Sequence, residues 1–370
     1  MQEGPEPLDC LMTQEEILED LVKEAQTQLE EKLEEINLGV ELGSQQPVLI
    51  SSQLPTQEKE QLVALLKKYV DVFTCIYDEM LGLDPRLVVH SLNVDPGVKP
   101  VVQPVKVFHT DIEAQITQEV KKLLAAGFIK PIQHPKWLSN IVPMKKKNGQ
   151  IRYCVDFRNL NKACLKDEFP LPNIDLLVDS AIGNSMFSFM DGYSGYNQIC
   201  MAAKDAEKTA FRKPIGNFYY TVKPFGLKNV GAIFQRTMIT IFHDMMHREM
   251  EDYVDDIMVK SKTRAGHFQI LEQVFERCRK YKLRMNPMKC AFGVSAGKFL
   301  GFLVHHKGIS VDPAKATAIT TMKRPITVRE FKSFLERVFY IRRFVLGLAS
   351  VTSGLSKLLK KGVKFTWGIE

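Results

Sequence analysis

Glu251-Asp-Tyr-Val-Asp-Asp-Ile-Met-Val-Lys260 sets two adjacent carboxylates, Asp255 and Asp256, inside a run of strand-forming residues. Tyr253 and Val254 precede the pair and Ile257 to Val259 follow it, a pattern that predicts a tight β-hairpin with the acids at its tip. Read alone, an Asp pair is turn punctuation, because Asp is favoured in turns. A third acid changes the reading: Met186-Phe-Ser-Phe-Met-Asp191 is another apolar run closed by a carboxylate, followed by Gly192-Tyr-Ser-Gly-Tyr-Asn-Gln-Ile199. Carboxylates on rigid strands suit a hard cation such as Mg²⁺, which binds through one or two carboxylates plus a substrate phosphate and keeps several waters.

Working outward, five ordered stretches carry a resemblance. They are Val155-Asp-Phe-Arg-Asn-Leu-Asn-Lys162, Phe189-Met-Asp-Gly-Tyr-Ser-Gly-Tyr-Asn-Gln-Ile199, Pro224-Phe-Gly-Leu-Lys-Asn229, Tyr253-Val-Asp-Asp256 and Phe299-Leu-Gly-Phe302. Together they resemble the reverse transcriptases of gypsy-type LTR retrotransposons, plant elements most closely, from about Asp71 onward. The resemblance implies an α+β right-hand polymerase with fingers, palm and a thumb-like region, its antiparallel palm sheet backed by helices. It implies an RNA-directed DNA polymerase that extends a primer on an RNA or DNA template by two-metal nucleotidyl transfer. Asp191, Asp255 and Asp256 would hold two Mg²⁺ ions, with Mn²⁺ as a substitute, and do the catalysis.

The same resemblance assigns Lys145, Lys146, Arg152, Tyr196 and Phe225 to the incoming nucleotide. Arg158, Gly226, Lys228, Gln235 and the turn Leu300, Gly301, Phe302 go to template and primer. Tyr196 stands where relatives carry an aromatic gate against the ribose 2′-hydroxyl; a packed core tyrosine is the plainer alternative. Phe225 and Phe234 likewise read as core aromatics on burial preference alone. The implied partners are an RNA/DNA template-primer, deoxynucleoside triphosphates and other products of the retroelement polyprotein. The implied location is intracellular, in a cytoplasmic virus-like particle and the nucleus.

Composition allows this. The 370 residues are 45% hydrophobic and 25% charged, a globular balance. No apolar run approaches the roughly 20 residues of a membrane span, and the acidic start lacks the basic flank of a signal peptide. Seven scattered cysteines, with no Cys-x-x-Cys, argue for free thiols and against a structural zinc site. Charge is segregated: residues 1–60 hold 15 Asp/Glu against 3 Lys, and the remainder holds 47 Lys/Arg against 28 Asp/Glu. A basic body of that kind suits a polyanion, since neutralised phosphates release counterions.

Along the chain, residues 1–60 read as an acidic helical linker, with Thr13-Gln-Glu-Glu16 as a capping box and Leu18, Leu21, Ala25, Leu29 and Leu33 as a thin apolar stripe over residues 1–40. Residues 61–106 follow as a helix, expected over about Thr56 to Phe73, and a Pro-rich extended arm. Residues 107–312 are the fingers and palm, and residues 313–370 the thumb-like region, with an RNase H domain expected to be absent. Thr110-Asp-Ile-Glu113 and Thr327-Val-Arg-Glu330 read as further capping boxes. Asn148-Gly149 predicts a two-residue hairpin turn, which sets Lys145 directly across from Arg152. Three consecutive lysines there either bind a triphosphate or keep an exposed hairpin soluble, and the resemblance favours the first, leaving Lys145 and Lys146 both as candidates. His243-Asp-Met-Met-His247 imitates a zinc-hydrolase spacing on an expected helix but lacks the glutamate and a third ligand.

A second function class also fits: a decayed retroelement relic that binds nucleic acid without useful catalysis. Val230 and Glu336 stand where relatives carry small residues, and both chain ends fall inside an expected polyprotein. The surviving carboxylates and Arg152 argue against it.

Overall fold

The computed structural model describes residues 31–39, 46–145, 151–213, 215–345, 347, 348, 350, 352 and 359. The chain divides into two compact units. The larger runs over Lys32–Ser180 and Asn184–Ser295; the smaller holds Ala296 onward with Ala181–Gly183 and Glu31.

The larger unit is built on a six-stranded sheet of β1 (Leu33–Asn37), β2 (Pro47–Ser51), β11 (Ala291–Val294), β6 (Met186–Asp191), β10 (Asp256–Ser261) and β9 (Met250–Tyr253), in that spatial order. Neighbours are antiparallel except β2 and β11. Three helices cover it: α1 (Thr56–Lys68), α3 (Val230–Phe242) and α4 (Arg264–Tyr281). Their inward faces and the sheet share one core, in which Phe73, Phe275 and Phe292 meet edge to face with ring centroids 5.7 to 5.9 Å apart. Aromatic pairs at that spacing add to their area burial. The alternation that marked β10 is overwritten by a nearly continuous buried run, Ile257 to Ser261, as expected of a central strand.

A second core in this unit packs α2 (Thr110–Ala125) against two small sheets. One is β3 (Ile129–Pro131), β8 (Gly216–Tyr220) and β7 (Phe211–Lys213); the other pairs β4 (Ile141–Lys145) with β5 (Ile151–Val155). Ile116 and Val120 on α2 meet Phe128, Phe211 and Tyr220 there.

The smaller unit carries a three-stranded meander, β12 (Ala296–Phe299), β13 (Phe302–His305) and β14 (Gly308–Val311), then α5 (Pro313–Thr320) and α6 (Val328–Tyr340). Leu300 and Gly301 form the β12–β13 turn with φ of +51° and +87°, the two positive values a tight hairpin of this length requires. Thr327 caps α6, its hydroxyl accepting from the Glu330 N–H while the Glu330 carboxylate accepts from the Ile326 N–H.

Several expectations are corrected. The helix expected over residues 1–40 does not reach Leu33, which opens a strand, and residues 32–60 belong to the larger unit rather than to a linker. Residues 296–312 group with the thumb-like segment, so the boundary expected at 312 falls at 295. α1 stops at Lys68, and a 3₁₀ turn covers Val70–Val72. α2 is capped at His109 with no side-chain bond, so Thr110 closes no capping box. The β4–β5 register is one residue from the expected one: Lys145 pairs with Ile151, and Met144 with Arg152. Five residues, 146–150, separate these strands, and an odd loop shifts the pairing by one. α3 ends at Phe242, so His243 and His247 lie on a turn and share no helix face. The box at Thr13, the turn at Asn148-Gly149 and Lys146 lie outside the described residues.

Candidate active site

Three carboxylates meet where β6 ends and β10 begins. β9 and β10 are joined by a two-residue turn, Val254-Asp255, flanked by the register pair Tyr253 and Asp256. Antiparallel pairing of β10 with β6 sets Asp256 directly opposite Asp191, and the Gly192 N–H donates to the Asp255 carbonyl at 3.3 Å. The sequence placed these acids at a hairpin tip, and the sheet adds what sequence could not: which residue of a distant strand they face.

The turn is strained. Val254 has φ +59°, a position normally left to Gly and costly for a β-branched side chain. Gln235 on α3 holds it, accepting the Val254 N–H at 2.9 Å while its amide nitrogen donates to Asp252 Oδ2 at 2.8 Å and to the Asp252 carbonyl at 3.2 Å. Gln235 is 1% exposed, so its expected template contact is corrected. It is committed to the hairpin instead.

Crowded acids in a half-buried setting shift one another. Burial first and Asp191 second push the Asp255 carboxyl up to about 6, and the same two causes raise Asp256. Asp252 is raised well above the carboxylate range by burial, then by Asp255. Asp255 Oδ1 is buried and has no hydrogen-bond partner among the described residues. Gly195 makes room for it: a Cβ there would lie 2.6 Å from Asp255 Oδ1 and 3.2 Å from the Phe234 ring. Lys289 answers part of the negative charge, donating to both Asp191 carboxylate oxygens at 3.1 Å. Such a donor set, oxygen only, crowded, with one buried orphan atom and an ammonium already drawn in, fits a divalent cation. Among the described residues no three acids, imidazoles or thiols form a ready-made metal cage.

Tyr196 flanks this cluster. Its ring meets Phe225 at 5.1 Å and Phe234 at 5.8 Å, both edge to face, and the Lys223 Nζ lies 4.5 Å from its centroid. Burial, then Asp255 and Asp256, raise its phenol. Phe225 is 45% exposed and is no core residue, whereas Phe234 is buried. Lys223 is wholly buried; burial drives its ammonium down to about 7 against the opposing pull of Asp255.

The remaining candidates sort by what they already hold. Arg158 forms a bidentate pair with Asp156, its Nη2 2.7 Å from Oδ2, yet stays largely exposed. Gly226, at φ +91°, accepts from Asn161 Nδ2 and is exposed. Lys228 donates its ammonium to the Cys164 carbonyl at 2.7 Å and so braces the loop. Phe302 is buried and stacks on Tyr340 at 5.3 Å, which corrects its expected primer contact; Leu300 and Gly301 form the turn above, whose carbonyl at Leu300 accepts from the Tyr340 hydroxyl. Sequence reading missed Lys223, Lys289 and Asp252. The only available signal was a charged residue set within or beside an apolar run.

Comparison with known proteins now decides the lineage. Residues 144–304 match the family described as reverse transcriptase (RNA-dependent DNA polymerase). The Drosophila melanogaster retrovirus-related Pol polyprotein from transposon opus is 33% identical over 304 residues, covering 77% of this chain and 30% of that polyprotein. The chain is related to the reverse transcriptases of retrovirus-like transposons. A fission-yeast relative, the Transposon Tf2-3 polyprotein of Schizosaccharomyces pombe, is 33% identical over 222 residues, 60% of this chain and 17% of its own length. The chain therefore spans less than a third of either relative. Among solved structures, a foamy viral protease-reverse transcriptase in complex with double-stranded DNA superposes with a TM-score of 0.77 at 21% identity, over 99% of this chain and 60% of that one. The same kind of enzyme in complex with an RNA/DNA hybrid gives 0.75 at 20%, over 100% and 46%. The fold is thus the mixed α/β reverse-transcriptase fold, a sheet backed by helices. Within this reverse-transcriptase relative, Val230 is buried at the start of α3 and Glu336 is exposed on α6, so both departures from small residues are accommodated.

Proposed function

We propose that the chain is an RNA-directed DNA polymerase, the reverse-transcriptase part of a gypsy-type, plant-like retrotransposon polyprotein. One observation carries the reading: Asp191 and Asp256 are register partners at one sheet end, with the buried, unpartnered Asp255 Oδ1 beside them. Asp191, Asp255 and Asp256 would hold two Mg²⁺ ions, which when bound lower the pKa of a primer 3′-hydroxyl and neutralise charge developing on the triphosphate. The chain's own part is to fix these carboxylates before substrate arrives, through the Gln235 clamp and the β6–β10 ladder.

Around them, Tyr196 excludes a ribose hydroxyl by bulk, and half-exposed Phe225 offers an aromatic edge to the nucleotide. Lys145 or Lys146 and Arg152, on or beside β4 and β5, supply charge to the triphosphate. Arg158 and Gly226 face the template. The foamy viral structures in complex with double-stranded DNA and with an RNA/DNA hybrid support a template-primer as the macromolecular substrate. Sequence specificity then resides in base pairing, and the basic body needs only to grip phosphate. No helix among the described residues is long and apolar enough to cross a membrane, which agrees with work in a virus-like particle and the nucleus beside other polyprotein products.

Primer extension on an RNA template with Mg²⁺ tests the proposal. Asp255→Asn keeps size and removes charge, so extension should fall by several orders of magnitude while duplex binding persists. Extension within tenfold of the parent overturns the assignment. A parent that binds duplex with steep salt dependence but extends nothing is instead the catalytically decayed relic.

A further inference from the structure

We infer that Lys223 is a positioning residue for Tyr196: from behind, its ammonium fixes the plane of the ring that screens the nucleotide sugar. The inference rests on the proposed role of Tyr196 and extends it to a residue that no motif marks.

Tyr196 has no hydrogen bond through its hydroxyl among the described residues, so ring contacts alone set its orientation. Three side chains make them. Phe234 and Phe225 meet the ring edge to face, and Lys223 places Nζ 4.5 Å from the centroid. Phe225 is 45% exposed and therefore the least constrained of the three. Lys223 is tied at both ends. Its N–H donates to the Ile199 carbonyl at 2.8 Å, three residues beyond Tyr196, and its Nζ donates to the Val230 carbonyl at 3.1 Å while lying 5.4 Å from the Phe234 centroid.

A wholly buried ammonium is costly, and an apolar side chain would fill the same space without that cost. The charge is compensated here by two aromatic rings, one carbonyl and the nearby Asp255. It is thus placed where attraction to the Tyr196 ring keeps that ring from retreating into the protein when a ribose hydroxyl presses on it. Selectivity by repulsion depends on such backing, because a gate that yields rejects nothing.

The test measures Kd for a deoxynucleoside and the matching ribonucleoside triphosphate in a complex with a dideoxy-terminated primer, where binding is read without turnover. Tyr196→Ala runs beside Lys223→Met. Lys223→Met should narrow the Kd ratio by on the order of tenfold, from the strength of a desolvated cation–ring contact. Tyr196→Ala should narrow it further. If Tyr196→Ala collapses the ratio and Lys223→Met leaves it at the parent value, the inference is overturned and the gate stands. If Tyr196→Ala leaves the ratio unchanged, the gate falls, and the inference with it. Should the methionine variant not fold, Lys223→Gln keeps a donor for Val230 and drops the charge, and the same two outcomes apply.

Discussion

Val254 donates its N–H to Gln235 Oε1 at 2.9 Å, and that bond holds a β-branched residue at φ +59° in the turn that carries Asp255. The same amide satisfies Asp252 on the neighbouring strand, so one side chain closes the hairpin from both edges. Gln235→Leu keeps the bulk and leaves a buried N–H and a buried carboxyl unpartnered, at a cost of about 3 kcal/mol in stability. With the strained turn released, the acid moves, and primer extension should fall by about a hundredfold, as misplacement near 1 Å commonly produces. Urea unfolding and single-turnover extension check both. A variant as stable and as active as the parent would show that the turn holds its own geometry.

Two buried histidines make stability depend on pH in a way a variant can isolate. His90 is fully buried, neither ring nitrogen has a partner among the described residues, and burial, then Lys223, drives it down to about 3. His267 is also pushed down to about 3 by burial, bonded to the Ser188 and Ser261 hydroxyls. The unfolded chain protonates such rings near 6.5, so it binds the extra proton between about pH 6.5 and 3. Their stabilisation is therefore complete above 6.5 and lost as pH falls toward 3. Asp252 and Asp255, raised by burial, act in the opposite sense, so the parent's slope is a sum of opposed parts. The difference is clean: His90→Leu should gain on the parent by about 1.4 kcal/mol for each pH unit below 6.5. Urea midpoints at pH 7, 6 and 5 measure it, and parallel curves would mean His90 finds a proton partner in solution.

The acids were legible because the features that place them are local. Alternation around Tyr253 and Ile257 gives the hairpin, and Asp191 ends an apolar run. The support was not. Gln235 and Lys223 read as surface or template residues, since burial depends on which distant element packs over a residue, and a sequence states only its chemistry. β1 failed for a related reason. Leu33, Glu34, Glu35 and Ile36 carry helix-favouring spacing and charge, but the segment is fixed by its antiparallel ladder to Val48 and Ile50, and β2 in turn by β11, some 240 residues later. The one-residue register error at β4–β5 came from assigning the loop to Asn148-Gly149 alone.

That correction reverses what truncation should do. Removing residues 1–60 strips two strands from the main sheet, with Leu38, Val48 and Ile50, all essentially unexposed. At about 2 kcal/mol for each buried aliphatic side chain, the loss is on the order of 6 kcal/mol, comparable to the stability of a whole domain. The truncated chain should be insoluble or unfolded by circular dichroism. If it folds cooperatively with the parent's melting temperature, β1 and β2 are dispensable after all.

The tightest constraint on the site is a missing methyl group. Gly195 does not adopt a positive φ, so its backbone suits alanine and only space forbids it. An added Cβ would lie 2.6 Å from Asp255 Oδ1, which is closer than carbon and oxygen can pack, and 3.2 Å from the Phe234 ring, which is buried and cannot retreat. The carboxylate has to yield. Gly195→Ala should cost about 1 to 3 kcal/mol as overpacking and lower extension by more than tenfold, since the displaced group is the one proposed to hold metal. Gly127→Ala is the control. Gly127 sits at φ +71° with nothing within 4 Å of an added Cβ, so alanine there costs backbone strain of about 1 kcal/mol and touches no acid. Stability should fall in both variants and extension only in the first. Equal activity in the two would mean that Asp255 can move without consequence, and the close approach at Gly195 would be packing alone.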